Sequence, residues 1–520
     1  MTMLTSESRT RAALRVALSY YVANGLSAAL GLFLISGGVH LFLGEVAASA
    51  ASVGVIVCIP PDQPAPRRGK FWQLLPAALI GLPLFLAAQA LHAAPVRLGL
   101  LLVPATFIAF LAAAWGKRGI PISVSIMFSM VFSMAVPDHA NAATTFSTGL
   151  HFALGSGLYL LWATLANAVL NARYRTQMLA DTLQSLANLM RTQARQFAPA
   201  GSGEAGAAAA PLIGQLLKQQ AALADQLQAA RDILLESPRT PHRQRLAGML
   251  IHVLEMRDHL LASELDLDTL KSHPSHAPVL AALREVLDAL ANEIEQLADT
   301  LLIGRTPAPF ESLQPRLAAL RWAEAMPLAA GDAPSPAVLA RALANRVGYL
   351  NEESLRLFAL ARGEAEPDLD VVRASWQMFV SPTAWSWRPF AGLWRWDAPP
   401  LRHAIRAALA IGTAYALSLA LPWGSHDYWI LLTIVVVLRG SLAQTLERRN
   451  SRVAGTLMGC LLAGALLSVH APLPVLLVTV TLAQAVAHAF AVKRYLVTAV
   501  AATVLGLVQA HMLGAGASPA

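Results

Sequence analysis

Apolar runs of about twenty residues alternate with short polar breaks through the first third and the last quarter of the chain. A run of that length crosses the ~30 Å hydrocarbon layer as a helix. The pattern predicts spans near 13–36, 39–60, 72–92, 96–116, 119–136 and 145–171, then near 401–422, 427–443, 452–470, 473–491 and 494–513. The run Tyr428–Leu438 is the shortest of these. Between the two sets the period changes. Thr176–Phe197, Ile213–Leu235, Arg243–Leu265 and Val279–Leu302 carry Leu and Ala at helical spacing with charges opposite, as amphipathic helices of a polar domain do. Ala198–Pro211 and Gly331–Pro336 read as linkers, and no strand alternation is visible. The fold expected is an all-α integral membrane protein. Two multi-helix transmembrane blocks (1–171 and 401–520) are separated by a cytoplasmic helical domain (172–400), which can pack on itself or mediate subunit contacts.

The two blocks carry basic and proline landmarks in the same order. Arg11/Arg15 corresponds to Arg402/Arg406, Arg67/Arg68 to Arg448/Arg449, Ala94-Pro95 to Ala471-Pro472, and Lys117-Arg118 to Lys493-Arg494. Duplicated sets of spans are a common way of building transporters, with the pathway where the repeats meet. The first set holds six spans and the second five, so the second block is expected to be C-terminally incomplete.

Composition agrees. Of 520 residues, 56% are hydrophobic and 13% charged, against roughly 25% charged in soluble domains. The net charge of +8 is unevenly spread: residues 172–397 hold 22 basic and 25 acidic residues, and the remainder 17 and 6. Those 17 lie beside apolar runs. With the N-terminus inside, all but Arg97 fall on the inner side, which is the positive-inside pattern. The expected orientation therefore has the N-terminus and central domain cytoplasmic. A basic groove interleaved with aromatics is absent, which argues against nucleic acid. Cys58 and Cys460 both lie in apolar runs and form no disulfide framework. Trp376, Trp385, Trp387, Trp394 and Trp396, with Arg388 and Arg395 among them, suit the headgroup layer or an aromatic binding surface at an inner gate.

His426-Asp427-Tyr428-Trp429 opens one span, and Arg452-Val453-Ala454-Gly455-Thr456-Leu457-Met458-Gly459 leads into the next. A Tyr-Trp start followed by Arg-x-x-Gly-Thr-x-x-Gly resembles the fusaric-acid-resistance (FUSC) family of bacterial inner-membrane proteins. The order of membrane block, helical insert and membrane block also resembles that family. The first block has Arg68-Gly69-Lys70-Phe71-Trp72 in place of the motif. The resemblance implies a bacterial inner-membrane location and export of small aromatic or anionic compounds, in some relatives aided by a periplasmic adaptor protein; the first expectation is a secondary exporter driven by the proton gradient. A homo-oligomer is expected. A passive organic-anion channel and a non-transporting scaffold are the alternatives.

Several residues are candidates for the pathway. Glu45, near the outer end of the second span, can carry a coupling proton or reach the interface. His151 and His488 can relay protons or serve as hydrogen-bonded members of a helix bundle. Arg439, Arg448, Arg449 and Arg452, in and after a basic loop, can pair with an organic anion or simply mark the inner side; Arg452 is the strongest, since it belongs to the motif and precedes a helix. Gly455 and Gly459 form a small-residue packing face continued by Ala463. Gly201–Gly206 spells a dinucleotide fingerprint without the strand that motif requires. No Walker sequence and no nucleophile–base arrangement is present, so neither an enzyme nor a cofactor is expected. His273 and His276 alone do not make a metal site.

Overall fold

The computed structural model describes residues 6–136, 142–197, 209–236, 238–263, 267–272, 274–320, 336–368, 385–420 and 428–516. Trp376, Gly201–Gly206, His273 and the His426-Asp427 pair fall outside them. Every regular element among the described residues is a helix. They are α1 (Ser6–Ala17), α2 (Tyr20–Leu43), α3 (Glu45–Cys58), α4 (Lys70–Ala90), α5 (Pro95–Leu111), α6 (Gly119–Ser133), α7 (Ala142–Gln196), α8 (Ala209–Leu234), α9 (Pro241–Ala262), α10 (Leu267–Lys271), α11 (Ala277–Ile303), α12 (Gln314–Ala318), α13 (Pro336–Arg362), α14 (Arg388–Ala391), α15 (Pro399–Ala420), α16 (Tyr428–Val437), α17 (Leu442–Ser468), α18 (Leu473–Phe490) and α19 (Tyr495–Gly516). Two compact units result: Met1–Tyr20 with Asn171–Ser381, and Tyr21–Leu170 with Pro382–Ala520.

In the first unit the amphipathic pattern becomes a core. Leu283, Leu287, Leu290, Ile294 and Leu297 of α11 are buried at intervals of three and four residues. They join Leu183 and Met190 of α7, Leu223 and Leu227 of α8, Leu250 and Val253 of α9, and Val347 and Leu350 of α13 in one hydrophobic cluster. Helix α9 starts where Pro241 occupies the first turn and the Thr240 side chain accepts from the Arg243 amide, a good N-cap. Helix α11 stops at Gly304, whose φ of 76° is left-handed, as expected of a C-terminal glycine. Arg175, 1% exposed, donates to Asn171, to the Leu234 carbonyl closing α8, and to Glu236. In the last turn of α1, Arg15 grips Asp299 at 2.5 and 2.7 Å and also reaches Glu295, which Arg191 pairs as well. Helix α13 was absent from the sequence expectation, although Leu339, Leu343, Val347 and Leu350 carry the same period.

The second unit is a multi-pass membrane body. Eight helical stretches among the described residues are long and apolar enough to cross a bilayer, against eleven expected. Pro95–Ser133 counts as a single 39-residue stretch, bent through the 3₁₀ turn Ala112–Arg118, where Gly116 takes φ 65°. The expected span 39–60 is only α3, 14 residues or about 21 Å, because Gly44 (φ 88°) delays its start and Pro60-Pro61 end it. The expected span 427–443 is the ten-residue α16; the chain leaves the helix before Gly440, and Ser441 caps α17 by accepting from the Gln444 amide. Large apolar side chains such as Phe42, Leu100, Leu161, Leu409, Leu461 and Val469 point outward, each more than half exposed, as lipid-facing residues do.

Small residues bring these helices together. A Cβ on Gly54 would stand 2.2 Å from the Phe152 carbonyl oxygen, and one on Gly155 2.0 Å from that of Ala51, so α3 and α7 touch backbone to backbone. On α17, a Cβ at Gly455 would meet Ala499 at 2.5 Å and one at Gly459 would meet Thr503 at 2.6 Å, and Ala463 is fully buried. Both motif glycines therefore serve α17–α19 packing within the chain, with Thr456 half-buried between them. Trp429 covers Gly506, and its ring lies 5.9 Å from that of Tyr428. Trp385 donates to the Trp72 carbonyl and Trp115 to that of Ser386, so part of the Trp-rich segment is docked on the helix ends. Trp387, Trp394 and Trp396 stay exposed.

Candidate functional site

The segment between α3 and α4 reads Ile59-Pro-Pro-Asp-Gln-Pro-Ala-Pro66. Non-helical backbone inside a membrane body must find partners within the protein, and proline reduces the need by carrying no N–H. The remaining groups are matched. The Asn167 side chain of α7 donates to the Ala65 carbonyl (3.0 Å) and accepts from its amide (3.3 Å), imitating a neighbouring strand. The Asp62 amide donates to the Ile59 carbonyl at 2.9 Å. Arg67 donates to the Ala168 carbonyl at 2.8 Å.

This segment holds Asp62 at the centre of a buried polar cluster. Lys70, the first residue of α4, donates to Asp62 Oδ1 and to the Gln63 carbonyl, both at 2.5 Å. The Tyr159 hydroxyl of α7 donates to Asp62 Oδ2 at 2.6 Å. Asn24 of α2 donates to the Asp62 carbonyl at 2.6 Å. His488 of α18 places Nε2 3.0 Å from that same carbonyl and 3.1 Å from Asn24 Nδ2. Exposures are 3% for Asp62, 1% for Lys70 and 0% for Tyr159. Burial pushes the Asp62 carboxyl upward, but Lys70, His488 and the Tyr159 hydroxyl outweigh it and hold the group below the usual carboxylate range. An ion pair sealed from water needs its partners: removing either charge strands the other.

Among the expected residues, His488 belongs to this cluster, contributed by the second set of helices. Lys70, expected only as an inner-loop charge, is buried in it, and Asp62 was not singled out. The available signal was an acidic residue alone among prolines between two spans. Glu45 is the exposed first residue of α3 rather than a residue within a span. A carboxylate there faces the positive end of the helix dipole. His151 is half-buried on α7, outside this network.

The arginines are placed differently from expectation. The basic loop expected up to Arg449 is helical from Leu442, because Ser441 caps a run of good helix formers. Arg452 therefore lies inside α17 rather than before it. Arg448 donates to the Val436 carbonyl (3.3 Å) and the Ala491 carbonyl (3.2 Å), closing the C-terminal ends of α16 and α18, and its guanidinium sits 4.4 Å over the Tyr495 ring. Arg439 donates to the Leu438 carbonyl at 3.1 Å. Burial and then the neighbouring Arg448 charge lower its pKa, though a guanidinium stays protonated at physiological pH. Arg449 is exposed and holds Asn450. Beside them Trp396, Pro399, Arg402, Ile405, Arg406 and Gly440 line an open surface pocket of about 390 Å³. Two of the lining residues are joined, Arg406 donating to the Gly440 carbonyl at 2.5 Å. One indole and two guanidiniums can receive a flat, negatively charged molecule.

Comparison with known proteins points to one family of membrane proteins. Residues 78–328 match the family described as FUSC-like inner membrane protein yccS. Residues 409–520 match the family described as fusaric acid resistance protein-like. An uncharacterized protein of Synechocystis, slr1298, is 32% identical over 77 residues, which is 14% of this chain and 10% of that protein. The match thus spans a small fraction of the relative's length. No solved structure matches.

Proposed function

Since the chain belongs to the fusaric-acid-resistance (FUSC) family of membrane proteins, we propose that it is a transporter of a bacterial inner membrane that exports small aromatic or anionic compounds, driven by the proton gradient. The observation that carries this reading is the buried Asp62–Lys70 pair, joined to His488 from the second set of helices. Ionisable groups sealed among membrane helices are costly and serve coupling in many pumps. Lys70 holds Asp62 ionised while the two are paired, so Asp62 takes up a proton only after the pair has parted, and parting it changes the contacts of α2, α4, α7 and α18. In the cycle we infer, the ionised, paired state accompanies substrate outward; the pair parts in the outward-facing state, Asp62 takes up a proton there, and the protonated, unpaired state returns empty. Asp62 takes the coupling role for which Glu45 was the sequence candidate. The pocket of Trp396, Arg402 and Arg406 supports an aromatic anion as the substrate that gathers at the inner face.

The test is efflux of a panel of aromatic carboxylates from energised cells at matched membrane abundance. Protonophore-sensitive efflux by the wild type, lost in Asp62→Asn and retained in Glu45→Gln, is the expected result. Unchanged efflux in Asp62→Asn overturns the coupling role. Efflux that follows the anion gradient alone, insensitive to protonophore, favours the passive channel.

A further inference from the structure

The helical unit holds a second cluster that transport does not use. His252 and Glu255 lie one turn apart on α9, so they share a face, and Glu353 approaches from α13. His252 Nδ1 stands 2.6 Å from Glu353 Oε2 and 3.5 Å from Glu255 Oε2, and the three ligand atoms all lie within 4.8 Å of one another. Two carboxylates and one imidazole nitrogen thus converge on one point. Bonds of about 2.0–2.2 Å, the range for carboxylate and imidazole on zinc, separate adjacent ligand atoms by about 3 Å, so a small side-chain adjustment admits an ion. The side chain of Glu353 is 7% exposed, that of His252 19%, and that of Glu255 49%, which leaves remaining coordination positions facing water.

We propose that His252, Glu255 and Glu353 form a three-ligand site for a first-row divalent transition-metal ion of the Zn²⁺ class, clamping α9 to α13. The donor set of one imidazole and two carboxylates suits that class better than Mg²⁺ or Ca²⁺, which favour oxygen alone. The two carboxylates lie within 4.8 Å of one another, so a cation between them offsets their mutual repulsion. Arg356 already donates to Glu353 Oε1 at 2.8 Å, leaving Oε2 for the ion but opposing it in charge.

The experiment is calorimetric titration of Zn²⁺ into the full chain in lipid nanodiscs, free of affinity tag and stripped with chelator, with Co²⁺ absorption reporting coordination. One saturable equivalent per chain is expected. Glu255→Gln, at a half-exposed position that folding tolerates, weakens binding by at least the ~10–100-fold that loss of a supporting partner costs. Arg356→Ala, also exposed, tightens it. The chain has 14 histidines, so binding that Glu255→Gln leaves unchanged belongs elsewhere and overturns the proposal. Absence of saturable binding up to millimolar Zn²⁺ overturns it as well.

Discussion

Lys70→Met isolates the energetics of the buried pair. The ammonium and carboxylate are 2.5 Å apart. At an effective dielectric near 20 their attraction is about 6–7 kcal/mol. Desolvation of both ions, several kcal/mol each, offsets it, so the intact pair contributes little net stability. Removing Lys70 alone leaves Asp62 with the Tyr159 hydroxyl but no counter-charge, which costs about 3–5 kcal/mol. Adding Asp62→Asn removes the stranded charge while keeping an acceptor for Tyr159, and the double variant recovers roughly half of that loss. Unfolding in mixed micelles can be followed by alkylation of Cys58, fully buried beside the cluster, in a Cys460→Ser background. A double variant as unstable as Lys70→Met, or a Lys70→Met protein as stable as the wild type, would refute the reasoning.

Acidification gives a second test. The folded pKa of Asp62 lies below its ordinary value, so its stabilisation is present above the unfolded value of about 3.9 and is lost as pH falls through the folded one. The same alkylation assay should show wild-type stability falling below about pH 4 more steeply than that of Lys70→Met/Asp62→Asn. Gly455→Leu should force α17 from α19 and cost at least about 1–3 kcal/mol, whereas Gly464→Ala, with open space around its Cβ position, should be neutral or slightly stabilising; thermal unfolding of both checks this. Arg15→Ala removes the two bonds to Asp299 and one to Glu295. With these groups partly exposed, the loss should be about 1 kcal/mol or less and should shrink further as salt is raised.

Element type was legible in the sequence wherever a periodic or continuous apolar run was long, as in α4, α11 and α15. Boundaries were not legible where a cap decided them. Ser441 moved the start of α17 ten residues upstream of the expected span, and Gly44 shortened α3. The site was legible only in part. His488 stood out as a titratable residue inside an apolar run. Lys70 resembled any inner-side charge, because the positive-inside pattern predicts such residues whether or not they are buried. Asp62 gained its meaning from Tyr159 and Asn24, residues far along the chain whose approach no local pattern announces. The arginines at 439 and 448 illustrate the converse. Their cluster suggested a substrate site, and the structure gives them the carbonyls of helix ends to close.

The contact between α3 and α7 bears on how the chain is made. Helix α3 is 14 residues of mostly Ala, Val and Ser, nine of them buried, so although apolar it offers the insertion machinery too little length to cross the bilayer alone. Its partners Phe152 and Gly155 are synthesised about a hundred residues later. Until α7 emerges, α3 must wait at the lateral gate or among earlier helices, with its Gly54 and Ala51 surface unmatched. A ribosome stalled before residue 150 would therefore leave an incompletely assembled membrane body, and one bulky residue at Gly54 would act at biogenesis, presenting the same defect to quality-control proteases even in a full-length chain.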